Sequence, residues 1–590
     1  MADETDDLRG ISQTAMLAVM AIDMGDVTDV LKEDLRQHPD ILREVHRYRP
    51  NFRMEDVHEY NLNDIIDTMR LPYRIVPHRA ASKLKSEITF WNTIESDTLF
   101  YYDVDKGYFD QYGEQFIRAY MDRLAHDYLT KNNVGETIQS IKNGTMCSIT
   151  AFNGAKVSRD GHLYLNLPNG TLEIDTLTLN EHSPQYMFTG RLPICYNPEA
   201  DASKILSFLL DVSEPNYRMF FSLLEHAAFT FCPGYHIQKG ILYQGTGGNG
   251  KGTWLHIINR LWDDASEHSN VASIALQDMD QRFKTSMLYG KAVNIAGDLS
   301  DEELRHTGSF KKATGGDPIT AEYKNKPPFQ FLNEAKLFYS CNKIPRTADE
   351  SRGFYQRWAI EIWAKTFRGT DAERIHLGDE LSSEENLEGL FKILVKWFIP
   401  IVSKRTWFTF DKDEETVKEL YTRNSNSAQA FIIERLEFDK SELAVLETDE
   451  IISGYRQFCI DKNLFAESED LLWKTLKEKM TDAGVPYKDR RWVRDGVSHH
   501  VRMYLKLREG QQALNALYYT EEEVEDFEDV LSKYVDRNKD FLELHTLQTL
   551  QVFFSTWFRM KEIEKRKGER PVGHESPVDS TGLIPPEEPK

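Results

Sequence analysis

The chain lacks any apolar run near the roughly 18 residues that a membrane-crossing helix needs. Its most apolar stretch, Ala15 to Ile22, is eight residues long and follows acidic ones. Without a basic leader it reads as a core helix and not as a signal peptide, so no membrane partner is expected. Cysteine is scarce. The five present (Cys147, Cys195, Cys232, Cys341 and Cys459) are widely scattered and nowhere form C-x-x-C. That spacing argues against a zinc module or a disulfide framework and suits a reducing cytosol. Positive charge is also in deficit, with a formal net charge of −23. Acidity spread evenly would repel nucleic acid, so a nucleic-acid partner requires local basic surfaces. No internal repeat is seen.

What remains is ordinary globular material, 40% hydrophobic and 28% charged, and 590 residues are enough for several domains. Residues 1–85 read as an acidic, mainly helical region, with apolar residues at mixed spacing over Asp26 to Val45 and Met54 to Met69. Residues 86–200 read as β-rich. Thr98 to Asp103 runs into a turn at Asp105-Lys106-Gly107, and His162 to Leu167 turns at Pro168-Asn169-Gly170 into Thr171 to Leu179. Asp103 and Asp105 could be mistaken for paired metal-binding carboxylates. Their seat at a hairpin turn, with no partner motif downstream, reads as a solvated turn without catalysis.

A helical linker or collar follows over 201–235. Residues 236–410 alternate helices with short apolar strands, as in a parallel sheet covered by helices. Residues 411–510 are expected to hold helices, then a basic hairpin over 487–508 with seven Lys or Arg against two acids. An acidic helical extension covers 511–562. The tail, 563–590, lacks apolar periodicity and reads as disordered.

Within 236–410 lies Gly245-Thr246-Gly247-Gly248-Asn249-Gly250-Lys251-Gly252-Thr253, between the apolar run Ile241-Leu242-Tyr243 and a helical pattern at Trp254, Leu255, Ile257, Ile258 and Leu261. Strand, glycine loop, helix is the setting of a phosphate-binding loop. Glycines let successive N–H groups converge on phosphate oxygens, and the helix terminus and Lys251 add positive charge. Gly252 stands where the pattern normally has a magnesium-binding hydroxyl. Thr253 is the nearest replacement. Two later strand ends carry polar residues. Asp298 closes Ala292 to Ala296 about 45 residues after Lys251, where a magnesium-binding, water-orienting carboxylate belongs, with Asp301 or Glu302 able to share that work. Asn342 closes Lys336 to Cys341, placed to touch a γ-phosphate or an attacking water.

The order of these elements, with Lys312-Ala313-Thr314-Gly315-Gly316-Asp317-Pro318-Ile319-Thr320 between them and Gln356-Arg357-Trp358 after, resembles the superfamily 3 helicases, a branch of the AAA+ ATPases. The likeness is greatest to the helicase half of phage and plasmid primases, related to the poxvirus helicase–primase. It covers roughly 400 residues, from about residue 90 into a winged-helix-like segment over 411–510.

The resemblance implies a multidomain α/β chain with an AAA+-type P-loop core, working as an ATP-dependent replicative DNA helicase. It implies a homo-hexameric ring with ATP and Mg2+ at subunit interfaces. Lys251 and the loop amides would hold phosphates, Asp298 and Thr253 would meet the metal, Asn342 would be the sensor, and Arg357 the finger offered to a neighbouring subunit. Arg352 and Arg346 are lesser alternatives, Arg346 reading best as a solvated charge. A hairpin before the sensor strand would line the channel, giving Lys324 and Lys326, with Lys312 and Lys311 nearby, to the backbone of single-stranded DNA. In the basic hairpin, Arg490, Arg491 and Arg494 are the candidate DNA contacts.

Single-stranded and forked DNA, the chain itself and a separate primase or polymerase are the partners so implied. The compartment is the cytoplasm of a prokaryotic host or virus-infected cell, and travel is 3′→5′. With about 85 residues before the shared region, no primase activity is expected. Two other classes stay open: an origin-binding initiator or loader without processive unwinding, and a small-molecule kinase, since adenylate kinases also carry GKGT loops.

Overall fold

The computed structural model describes residues 75–568, apart from 126–130, 264–268, 282, 301, 323, 325–327, 442–443, 463, 495–496 and 508–524. The helices expected before residue 75, Asp301, Lys326 and the tail beyond 568 lie outside the described residues. The chain is a mixed α/β multidomain structure.

Its centre is a five-stranded parallel sheet of β1 (Gly240–Gln244), β2 (Val271–Ala272), β3 (Val293–Ala296), β4 (Lys336–Cys341) and β5 (Trp358–Ile362), in the order β2-β3-β4-β1-β5. Every pair is parallel, with Phe338 opposite Ile241 and Ala359 opposite Ile241 on the other side. Strands β1, β4 and β5 are buried at every residue. Unbroken burial is what a parallel strand covered on both faces requires, and it explains why these segments read as runs and not as alternations.

Helices α1 (Ser203–Ser213), α2 (Tyr217–Phe231) and α3 (Lys251–Trp262) share the main core with this sheet. Two later helices, α4 (Phe527–Asn538) and α5 (Leu544–Gly568), return to it. Phe527, Val530, Leu531, Tyr534, Leu550, Phe554 and Trp557 are all buried there. Tyr534 stacks on Phe221 at 4.6 Å. A polar knot fastens the return. Glu225 accepts from the Thr409 amide (2.7 Å) and the Tyr534 hydroxyl (2.9 Å), while Arg405 donates to Thr409 and Asn538 at 2.6 Å each. Burial raises the Glu225 carboxyl above its usual range, against the pull of these donors. So the acidic extension is part of the core. Helix α5 also runs to Gly568, past the expected start of the tail at 563.

The region expected to be β-rich holds two four-stranded sheets, over residues 90–147 and 156–180, and two helices besides, Gly113–Ala125 and Lys131–Gly144. Phe116, Ile117, Tyr120 and Met121 repeat at helical spacing and bury with Ile138 and Ile141, but their aromatic and branched side chains look like strand material. The helix Ile75–Glu87 packs into the same cluster through Ala81 and Leu84. The turn aspartate is buried, not solvated. Asp103 Oδ1 accepts from the amides of Asp105 (3.1 Å) and Lys106 (3.2 Å), so it shapes the turn. In the second hairpin the returning arm breaks into Gly170–Glu173 and Thr178–Asn180, with Leu177 at φ 55° between them.

Residues 427–507 form a separate core of three helices (Ser427–Arg435, Thr448–Asp461 and Glu469–Asp482) with a three-stranded antiparallel sheet. The expected basic hairpin is there, Asp489–Arg494 against Val497–Met503. Among the described residues no helix is long and apolar enough to cross a membrane.

Candidate active site

Three parallel strands end side by side, and each end carries a polar residue. β1 passes into the glycine loop, β4 into Asn342 and β3, two residues on, into Asp298. The ends are stitched together. Gln244 Nε2 donates to the Asn342 carbonyl (2.9 Å), the Gly245 amide to the Cys341 carbonyl (3.2 Å), and the Asp298 amide to Ser340 Oγ (3.4 Å).

The loop needs its glycines at two points above all. Gly248 and Gly250 sit at φ 64° and 90°, where a side chain is strained. A Cβ on Gly248 would lie 2.4 Å from Arg368 Cβ, and one on Gly250 would press on Val212 and Phe208 of α1. The Gly248 carbonyl accepts from the amides of Phe367 (2.8 Å) and Arg368 (3.2 Å), and Asn249 Nδ2 donates to the Trp363 carbonyl (3.0 Å). The segment leaving β5 therefore straps the loop at two places.

Lys251 opens α3 and is buried, 6% exposed. Its ammonium donates to the Gly245 carbonyl (2.8 Å) and Asn249 Oδ1 (3.0 Å). Burial lowers its pKa to about 8, partly opposed by the field of Asp298. Asp298 is exposed and stands at φ 73°, in the left-handed region that few residues other than glycine and short polar ones adopt. Asn342 is exposed, and its Oδ1 would lie 3.9 Å from a Cβ placed on Gly247. Thr253 is half-buried on α3, and Gly252 beside it is exposed with open space where a Cβ would project. Glu302 is exposed.

Arg357 is not with these residues. It precedes β5, at the amino edge of the sheet, where its carbonyl accepts from the Gly240 amide (2.8 Å) and its Nη1 donates to the Gly353 carbonyl (2.6 Å). One strand length, roughly 16 Å, separates that edge from the glycine loop. Of its alternatives, Arg352 pairs with Glu414 at 2.6 Å, and Arg346 is half-buried and paired with Glu467 at 3.3 Å. Arg346 is thus no solvated charge, and the sequence hid its partner more than a hundred residues away. Glu467 also holds Lys343 at 2.8 Å, tying the 427–507 unit to the loop that follows Asn342.

The remaining cations lie elsewhere. Lys324 is exposed in the turn of a hairpin of Ile319–Ala321 and Phe329–Phe331. Lys312 is exposed on the helix Gly308–Gly315, whereas Lys311 pairs with Asp349 at 2.7 Å. Phe310 of that helix stacks on Trp358 at 4.3 Å, so helix and hairpin gather at the amino edge with Arg357. Arg490 and Arg491 are exposed on the basic hairpin. Arg494 faces Val497 in its register, and its side chain lies outside the described residues. Sequence reasoning missed Ser340, Gln244 and the strap from Trp363 to Arg368. These carry no motif, and only the sheet brings them to the loop.

Two family models match this architecture. Residues 54–214 match "D5 N terminal like", and residues 243–357, from the end of β1 to Arg357, match a family of unknown function, DUF5906. Both domains are typical of phage and plasmid primase–helicase proteins. No curated protein matches. Among solved structures, the A form apo structure of the NrS-1 C-terminal region is similar at 11% identity and TM-score 0.38, covering 72% of this chain and 99% of that one. A second apo structure of that region gives 12% identity and TM-score 0.37, covering 73% and 99%. Likeness at this level carries no functional argument.

Proposed function

We propose that the chain is an ATP-driven DNA helicase of the superfamily 3, AAA+ type, acting as a homo-hexameric ring in the replication of a virus, plasmid or integrated element. One observation carries the reading: the glycine loop, Asn342 and Asp298 close three neighbouring strands at one edge of the parallel sheet, with Asn342 in the middle. Strands lie about 4.8 Å apart, so β1 and β3 are separated by roughly 10 Å. That leaves room for a polyphosphate between the loop and Asp298, at the carboxyl ends of the strands where open α/β sheets bind ligands.

The residues fit the substrate. The loop is free of Cβ atoms where Gly247 looks toward Asn342, and Lys251 is a buried cation released from two neutral acceptors once an anion arrives. The amides from Gly245 to Thr253 and Lys251 hold phosphates. Asp298 orients the attacking water, and Asn342 reads the terminal phosphate. Mg2+, held by Asp298 with Thr253 or water, would neutralise developing charge on the phosphates. The strained angle at Asp298 is the kind of local cost that collects at working sites. Arg357, too far to serve its own loop, serves the neighbour's.

Lys324, Lys326 and Lys312 then belong to the channel, and Arg490, Arg491 and Arg494 to a winged-helix-like unit over 411–510. Their contacts are with the phosphate backbone of single-stranded or forked DNA, in the cytoplasm and beside a separate primase or polymerase.

The test is strand displacement from a forked duplex by the purified chain with ATP. DNA-stimulated hydrolysis with displacement supports the reading, and Lys251→Ala should abolish both. Hydrolysis indifferent to DNA, with no displacement, overturns it. ATP binding and assembly without turnover on single-stranded DNA would mark a loader, and phosphate transfer to a nucleoside monophosphate a kinase.

A further inference from the structure

The strap over the glycine loop ends in an arginine with no assigned role. Phe367 and Arg368 both donate their amides to the Gly248 carbonyl, at 2.8 and 3.2 Å. Two donors on one oxygen fix the backbone of Arg368 against the loop. A Cβ on Gly248 would fall 2.4 Å from Arg368 Cβ, so the glycine is what allows this arginine to come so close. The strap's other end is tied by Asn249 to the Trp363 carbonyl at 3.0 Å. Between them Lys365 is turned aside, paired with Glu214 at 3.0 Å.

Arg368 itself is exposed, and among the described residues it takes part in no ion pair or side-chain hydrogen bond. The chain's net charge is −23, and several arginines near Arg368 in the fold or sequence are held by a partner. Arg346 rests on Glu467, Arg352 on Glu414, Arg374 on Glu380, and Arg357 on the Gly353 carbonyl.

We propose that Arg368 is a second phosphate-binding cation of the glycine loop, supplied by the same chain that supplies Lys251. The inference rests on the nucleotide reading above and names a further residue for it. With its Cβ held against Gly248, the exposed side chain can reach over the loop, and a guanidinium forks onto phosphate oxygens without losing its proton. Lys251 by contrast is buried beneath the loop and held by the Gly245 carbonyl and Asn249 Oδ1, so the two cations approach the loop from different sides of its backbone. Arg357 lies at the other edge of the sheet, so the two arginines divide the work: Arg368 binds in its own subunit and Arg357 acts across the interface.

The experiment is competition binding of a fluorescent ATP analogue to the full chain, with ATP, inorganic tripolyphosphate and AMP as competitors. In Arg368→Ala both polyphosphates should weaken by about tenfold to a hundredfold, the cost of a charged hydrogen bond, while AMP changes little. Arg368→Lys should fall between, keeping the charge without the fork. Lys365→Ala, on the same strap, should bind like the wild type, and the melting temperature of Arg368→Ala should not move. Unchanged tripolyphosphate competition in Arg368→Ala overturns the proposal. So does an equal loss for AMP, which would make the residue a prop for the strap. A wild-type chain that binds no ATP would instead remove the nucleotide reading, and this inference with it.

Discussion

The two edges of the central sheet carry different kinds of residue. At the carboxyl edge, three strand ends carry Lys251, Asn342 and Asp298, and the ends are stitched together by one backbone bond and two that use the Gln244 and Ser340 side chains. At the amino edge, Arg357 sits with the helix Gly308–Gly315 and the hairpin that carries Lys324, away from any of them. One edge is assembled within the subunit. The other carries the exposed Lys312 and Lys324 and the half-buried Arg357. A ring of such subunits would set one edge's arginine against the next subunit's loop, which a closed heterologous interface allows.

The largest expected effect separates the edges cleanly. Arg357→Ala should lower ATP hydrolysis by about 10³–10⁵ while leaving ATP affinity near that of the wild type, because the residue touches no part of its own loop. A matching loss of affinity would erase the distinction. Next comes the carboxyl edge itself. Gly248→Ala sets a side chain at φ 64° against Arg368 Cβ, at a cost of about 1–3 kcal/mol, and should lower both the melting temperature and the ATP affinity.

A subtler mark of this edge is a proton. Lys251 titrates near 8 because burial disfavours its charge, and bound phosphate would raise that value. Affinity should therefore be full below pH 8 and fall as pH rises through 8 toward the bound value, with up to one proton taken up on binding. Calorimetry at pH 8.5 in buffers of different ionisation enthalpy checks this, and zero uptake contradicts it. The smallest effect is at Gly252, where a Cβ meets open space. Gly252→Ser should fold as well or slightly better, by about 0.5 kcal/mol of helix propensity. It should change hydrolysis by less than about threefold if Thr253 or water already meets the metal. A large gain would show that the missing hydroxyl matters.

Much of the carboxyl edge could be read from the chain because each part is local. Glycine loop, strand and helix adjoin in sequence, and Asp298 and Asn342 mark the ends of short apolar runs. The amino edge could be read only in part, since nothing in Gln356-Arg357-Trp358 says on which side of a sheet it emerges. Least legible was what depends on distant partners. Glu225, Arg405 and Asn538 look like surface residues in sequence, yet they form the buried knot that brings α4 back to α2. Arg346 likewise needed Glu467, and the strap needed the parallel pairing of β5 with β1 to bring Arg368 to Gly248.

The most direct test of this division between edges mixes two inactive variants. Lys251→Ala subunits keep the arginine and Arg357→Ala subunits keep the loop. In random rings at equal proportions about one interface in four then joins an intact loop to an intact arginine. DNA-stimulated hydrolysis should reappear on mixing, to roughly a quarter of the wild-type rate, from two preparations that are each inactive. If the mixture stays as inactive as its components while both variants co-assemble, Arg357 does not complete a neighbour's site and the account of the two edges is wrong.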